Sequence, residues 1–361
     1  LHLAEAGVNT TLVEQFPLPH TRGSSHGLSR AFRFLGELEL DRLDYSLSRW
    51  QALEKASGET LFVKTGLLNF GQPGDPDLDT FMAVLRDSER PVEWLDHETI
   101  AARFPMLSYP EEWGAAWDPN GGLLVAHECL NSVQSQLRAQ GGRIVTSRVE
   151  SLEPGTHSGV RIDVRPNATG VTEKLSFDRV IVCAGPWTAR LLPRLKKLLR
   201  SLLTPVTYWS DPSGRYSAAS GLPILFNARL TGIYGLPSYE YHGLVKMLYH
   251  GGPESDPDTR DLASAEEYVA KVASYVRDHL PLLDHREPAI RESCMYTMTP
   301  DSNPIIDRLT DNVVTGCGFS GRGFKPAPAP GRLLAALALD QDEAFPEGFR
   351  ADRYLLRRFD A

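Results

Sequence analysis

The chain has 361 residues, is 42% hydrophobic and carries a net charge of -8 with both signs interspersed. That length supports a two-domain enzyme with a sizeable core; the charge pattern excludes a nucleic-acid patch, Lys196 and Lys197 reading as a solvated helix face, and no apolar run approaches the ~20 residues that span a bilayer. Cys129, Cys183, Cys294 and Cys317 are widely spaced without a CxxC pair, which argues against a disulfide framework or a metal cluster and fits a reducing compartment.

The sequence opens in a helical stretch, LHLAEAG, with no initiating Met and no signal peptide, and Gly7 is its natural stop. NTTLVEQF then reads as a short strand ending at Glu14. Helix, glycine, strand and acid form the second half of a βαβ unit. Its first half, a strand with G-x-G-x-x-G, belongs about 20 residues before the acid. Only 13 residues precede Glu14, so we expect a chain that starts part-way through the unit, with the first strand and Gly-rich loop missing.

PHTRGSSHGLSR (19–30) is polar and irregular. Leu40, Leu43, Leu47, Trp50 and Leu53 then recur at helical steps, and Gly58 ends the helix. Residues 63–71 read as a strand pair around a turn, and 126–140 as an amphipathic helix stopped by Gly141 and Gly142. Strands are expected at 143–147, 161–164 and 179–183. The last of these, DRVIVCAGPW, has the continuous apolar run of a buried parallel strand. Residues 204–209 and 222–250 look β-rich, with turns at Gly235 and Gly243. Ser264 and Glu267 have capping-box spacing for a helix running to Leu280. NVVTG (312–316) is a final strand, followed by a Gly-rich loop and a helix over 331–340. This alternation predicts an α/β fold: a discontinuous, Rossmann-like nucleotide-binding domain (1–65, 127–200, 301–361) with an α+β, mixed-β substrate domain (66–126, 201–300) inserted into it.

Several residues can carry chemistry, and each has a plainer alternative. Glu14, at a strand end, can accept both hydroxyls of a dinucleotide ribose or be an ordinary surface acid. Gly185, in the AGPW turn with Trp187, permits close backbone approach to a cofactor; any buried strand and tight turn would look similar. GCGFSGRGFK places Gly316, Gly318, Gly321 and Gly323 between a strand and a helix, where backbone N–H groups and the helix dipole stabilise negative charge. Lys325 adds a cation. Arg30 and Arg33 stand among apolar residues and need anionic partners if buried, either a structural carboxylate or a substrate carboxylate. Cys294 is either an inert small residue or a thiolate able to bond to a flavin ring methyl. Lys246 and His250, on one strand face with Tyr234 nearby, line a pocket or pair with carboxylates.

Together, PHTRGSSHGLSR, AGPW, IYGLPSYEYHGLVKMLYH, ESCMYTMTPD with the later IIDR, and GFSGRGFK resemble the monomeric sarcosine oxidase family, and within it the peroxisomal sarcosine/L-pipecolate oxidases of animals. The resemblance covers nearly the whole chain. It implies a monomeric flavoenzyme with covalent FAD, oxidising a secondary amino acid such as sarcosine, L-pipecolate or L-proline to an imine while O2 becomes H2O2; a glycine or D-amino-acid oxidase, or a silent truncated homologue, is the alternative. It implies that Cys294 is the thioether-bearing cysteine, that Arg33 and Lys325 clamp the substrate carboxylate and that Lys246 activates oxygen. Tyr234 and His250 then sit near the amine, His26, Ser29 and Arg30 beside the flavin ring, and Glu14 on the ribose. The family points to the peroxisome; the closing Phe359, Asp360 and Ala361 are not an SKL-type address, so the cytoplasm is the other expectation. PAPAP (326–330) has more prolines than this stretch usually carries.

Overall fold

The computed structural model describes residues 1–34, 40–154, 159–343 and 346–354. The chain begins with α1 (His2–Glu5), β1 (Thr11–Glu14), β2 (Ser29–Phe32) and α2 (Leu40–Ser57). Then come β3 (Phe62–Lys64), β4 (Leu67–Gly71), α3 (Pro76–Asp87), β5 (Glu93–Leu95), α4 (His97–Arg103), β6 (Gly114–Asp118), β7 (Gly122–Val125) and α5 (Ala126–Ala139). β8 (Arg143–Pro154), β9 (Val160–Pro166), β10 (Glu173–Phe177), β11 (Val180–Val182) and the one-turn α6 (Thr188–Leu191) follow. β12 (Arg200–Ser210), β13 (Ile224–Asn227), β14 (Ile233–Leu236), β15 (Leu244–Tyr249), α7 (Glu266–His279), β16 (Ile290–Met298), β17 (Ile305–Thr310), β18 (Val313–Cys317) and α8 (Pro328–Ala338) come last.

The α/β part holds a four-stranded sheet ordered β1-β8-β9-β10 and a three-stranded sheet ordered β11-β18-β17. β1 runs parallel to β8 and β11 parallel to β18. The parallel pairing expected of 179–183 forms, but β11 is an edge strand with Val180 and Ile181 half-buried and Val182 buried, so it is not the fully buried strand its apolar run suggests. Glu14 closes β1, and α2 ends just before Gly58. Side chains such as Leu43 and Trp50 bury the inner face of α2 in one core with Phe32 and Leu124, each large residue contributing roughly 1.5–3 kcal/mol by leaving water.

The second part is built on an eight-stranded sheet ordered β16-β12-β15-β14-β13-β4-β6-β5. Its two faces have distinct neighbours. Val245, Met247, Trp209 and Leu225 face α7 through Val272, Tyr275 and Val276. Alternation along each strand sends Tyr208, Leu236, Leu248 and Cys294 into a different cluster, with Phe226 and Tyr234 against it.

Several expectations need correction. Residues 63–71 do form two strands, but β3 pairs with β7 while β4 pairs with β13 and β6: the turn between them hands the chain from one sheet to another. Gly235 lies within β14, opposite Met247, and the turn falls at 228–232. The capping box does not form. Asp261 caps one turn earlier, accepting from Ala263 N at 2.9 Å, and the Ser264 hydroxyl donates back to the Asp261 carbonyl at 2.6 Å. α8 starts at Pro328 rather than 331, since proline's fixed φ and missing N–H suit a first helical turn. The segment 66–126 also contains α3 and α4, two helices beyond its expected strands.

Candidate active site

The irregular 19–30 segment reaches across to the eight-stranded sheet and makes the centre of the site. Arg30, on β2, folds its guanidinium back onto that segment: Nη1 donates to the Ser29 carbonyl at 2.8 Å and Nη2 to Ser24 O at 3.0 Å and to His26 O. The same Nη2 lies 3.7 Å from the Cys294 Sγ, which itself contacts Ser24 O at 3.7 Å. His26 is buried, its Nδ1 on the Gly23 carbonyl, and burial with nearby Arg30 and Arg260 charge pushes its pKa down to about 4. Loop and strand thus present one thiol to one fixed guanidinium.

Register fixes what surrounds Cys294. On β16, Tyr296 is two residues on and shares its face. β12 sets Thr204 opposite Cys294 and Tyr208 opposite Lys246, and β14 sets Tyr234 opposite Leu248. Hydroxyls then link the strands: Tyr234 OH to Tyr296 OH at 3.2 Å, and Tyr296 OH to His250 Nδ1 at 3.3 Å. Burial raises the pKa of both phenols, Tyr296 well above the usual value, so both are neutral hydrogen-bonding groups. Arg33 caps this side, its guanidinium stacked 4.0 Å over the Phe226 ring, and Phe226 adjoins Tyr234.

The Gly-rich loop closes on the same place. Gly321, at φ +79°, backs onto Tyr296, where a Cβ would come within 2.6 Å of the ring; only glycine fits both the angle and the space. Phe324 stacks on Trp50 and lies under the Arg30 guanidinium. Lys325 is buried and its carbonyl accepts from Trp50 Nε1 at 3.0 Å. Pro326 next to it is accommodated: its carbonyl takes the Ser46 hydroxyl at 3.0 Å. Gly318, also at positive φ, packs against Thr299 and Leu199, and Gly323 against Phe319.

Of the remaining predicted residues, Glu14 and Trp187 engage other partners, while Gly185 borders this centre through Ser24. Glu14 accepts from Phe16 N at 3.0 Å and stands 3.5 Å from His20 Nε2. Trp187 is buried with its indole N–H on Asp258 at 2.8 Å and its ring against Phe16, an anchoring contact rather than one aimed at Cys294. Gly185, at φ +51°, leaves open space bounded only by Ser24 Oγ, 3.8 Å from where a Cβ would stand.

Lys246 has the carboxylate that its plainer reading called for, from the β14–β15 connection instead of a facing strand: Glu240 Oε1 lies 3.3 Å from Nζ. Sequence reasoning missed Glu240, Tyr296, Tyr208, Phe226 and Arg260. Tyr296 was readable as the i+2 neighbour of Cys294, whereas no local signal marks a loop carboxylate as a lysine's partner.

These residues fit a flavin dinucleotide. Ser24 Oγ, Arg22 Nε and the Arg260 Nε and Nη2 are buried without hydrogen-bond partners among the described residues, so the loops beside Cys294 offer donors to an anionic, acceptor-rich group. Gly185, at positive φ, leaves space next to Ser24.

Comparison with known proteins agrees. The family model for FAD dependent oxidoreductases (DAO) matches residues 1–337. The chain is 36% identical to human peroxisomal sarcosine oxidase, covering 98% of this chain and 92% of the relative, and 32% identical to monomeric sarcosine oxidase of a Bacillus species, covering 93% and 87%. Among solved structures it is similar in fold to NikD, an unusual amino acid oxidase essential for nikkomycin biosynthesis, with a TM-score of 0.77 at 20% identity, covering 96% of this chain and 91% of that one. The chain therefore belongs to the FAD-dependent oxidoreductase family, in its sarcosine oxidase group.

Proposed function

We propose that the protein is an amine oxidase that takes a secondary amino acid, of the sarcosine, L-pipecolate or L-proline type, to its imine and reduces O2 to H2O2. The observation that carries this reading is a single sheet face. Cys294, Tyr296, Tyr208, Lys246, Tyr234 and Phe226 all belong to it by register, with Arg30 and Arg33 bringing positive charge against it.

When bound, FAD supplies the two-electron acceptor and passes the electrons to O2. Cys294 would hold its ring covalently, with Arg30, His26 and Ser29 beside it, the glycines 318, 321 and 323 behind it, and Glu14, Gly185 and Trp187 toward the adenosine side. Arg33 and Lys325 would grip the substrate carboxylate by charge-assisted hydrogen bonds, orienting the reacting C–H. The hydrogen-bonded Tyr234–Tyr296–His250 chain would receive the amine and keep water from it. Lys246 would present its ammonium to the negative charge that develops on oxygen.

Sheet membership supports the two-domain division given above, with β7 as the exception, because it lies in 66–126 yet pairs with β2 and β3. A monomer is supported by the name of the Bacillus relative, and a peroxisomal setting by that of the human one. Release of peroxide would suit that organelle. The test is peroxide release from the purified flavoprotein with sarcosine, L-pipecolate and L-proline. Activity with at least one is expected; silence toward every N-substituted amino acid overturns the assignment.

A further inference from the structure

Lys246 is 3% exposed, and the strands beside it bring it no opposite charge: β12 sets Tyr208 opposite it and β14 sets Leu236. α7 packs behind the sheet on Val245 and Met247, the other face. The compensating charge is Glu240, whose side chain is 3% exposed and whose Oε1 is 3.3 Å from Nζ. Ser29 closes the triangle. Its hydroxyl donates to the same Oε1 at 2.7 Å and accepts from Nζ at 3.2 Å, while its carbonyl accepts from Nζ at 3.1 Å. Tyr208 OH adds a third donor to Oε1 at 3.3 Å. Oε2 is buried without a partner among the described residues, so every hydrogen bond given to this carboxylate converges on the oxygen that faces Lys246.

We propose that Glu240 is a positioning residue for the oxidative half of the reaction: with Ser29 as bridge, its carboxylate keeps Lys246 an ammonium and aims it at the reactive face of the sheet. This rests on the reading above that Lys246 meets oxygen. The other groups facing Lys246 set the balance. Burial favours the neutral amine and so does the Arg30 guanidinium; Glu240 and the more distant Glu292, which holds Tyr241 OH at 3.0 Å, favour the charged form. Take away Glu240, and burial and Arg30 act together against the charge. A neutral amine gives no electrostatic help to an anion forming on oxygen.

The experiment is a pH titration of the Lys246 Nζ by NMR in the holoenzyme carrying 15N-labelled lysine, the signal assigned by its loss in Lys246→Met. Glu240→Gln is expected to lower the titration midpoint by about two pH units, a ~100-fold loss of proton affinity, and Glu240→Asp to restore part of it. Reoxidation of the reduced flavin by O2 should slow by about tenfold or more in Glu240→Gln near pH 8 and recover as pH falls, with a much smaller effect on flavin reduction by substrate. Should Glu240→Gln not fold, Ser29→Ala is expected to move the midpoint the same way by about one unit. An unmoved midpoint in the variant that folds overturns the role of Glu240. A moved midpoint combined with unchanged reoxidation in Lys246→Met overturns the oxygen role of Lys246, and that of Glu240 with it.

Discussion

Two cationic regions border the 19–30 segment and differ in one respect. Lys246, on the sheet, has its charge met within the protein by Glu240 and Ser29. Arg260, on the loop beyond β15, has only Nη1 engaged, on Thr21 O at 2.9 Å, while Nε and Nη2 are buried without partners among the described residues. Arg22 beside it spends Nη2 on the carbonyls of Pro257 and Asp258 and leaves Nε in the same state. A compensated cation is a prepared tool, costing little to hold in place. An uncompensated one stores free energy that an incoming anion or acceptor releases. The first arrangement suits a group that acts on a passing small molecule, and the second suits a rim that holds a resident cofactor.

The sharpest way to break the cofactor side of that comparison is Cys294→Ser. The wild-type holoprotein should keep its yellow colour after denaturation and precipitation, and the variant should release all of it; colour freed equally from both rejects the thioether. Next in size is the carboxylate clamp. Arg33→Ala or Lys325→Ala removes a charged contact in a half-buried or buried position, which costs about 2–5 kcal/mol. KM for the amino acid should therefore rise by roughly 30-fold or more, and unchanged kinetics in both variants would take the clamp out of the mechanism.

The third effect is on stability. Burial holds the folded His26 near a pKa of about 4, below its ordinary 6.5. Between those values the unfolded chain binds more protons, so stability rises with pH there. The contribution is complete above about 6.5 and fades as pH falls toward 4, amounting to roughly 3 kcal/mol. Urea unfolding at pH 7 and near pH 4 should show His26→Gln losing less stability on acidification than wild type by about that amount. Equal losses would mean that the imidazole does not stay neutral.

Legibility in the sequence followed the range of the forces involved. β1, α2, α5 and the β11–β18 region were readable because apolar periodicity and glycine stops are local. The signal for α3 is also local: Asp75 accepts from the amides of Asp77 and Leu78, with Pro76 at the first helical position. The rival caps at 261 and 264 show the limit of spacing rules, since both offer an oxygen at a plausible distance and only the three-dimensional turn selects Asp261. At the site, motif residues near Cys294 were found from the chain alone. Their assembly was not, because the partners of Lys246 lie 6 and 217 residues away in sequence. The Tyr234–Tyr296 contact likewise depends on the β14-β15-β12-β16 strand order, which no local pattern encodes.

The smallest expected effect tests the comparison most directly. Arg260→Met keeps much of the aliphatic stem and removes the unpartnered donors. If those donors burden the protein until a cofactor meets them, the variant should gain about 1 kcal/mol of stability before FAD is added, the cost of a buried unsatisfied group less the lost bond to Thr21. In a Cys294→Ser background, where FAD is held without the thioether and binds reversibly, it should then bind FAD about tenfold more weakly, a change of ~1.4 kcal/mol. Arg260→Lys should fall between, since a lysine keeps the charge but not the planar fork. Thermal and urea unfolding with and without FAD separate the two effects, because ligand stabilisation depends on concentration and the intrinsic term does not. A variant that loses stability without FAD and binds it unchanged would make Arg260 a structural tie between the two loops. The contrast with Lys246 would then vanish, since the Arg260 charge would be held for the fold and not kept ready for a cofactor.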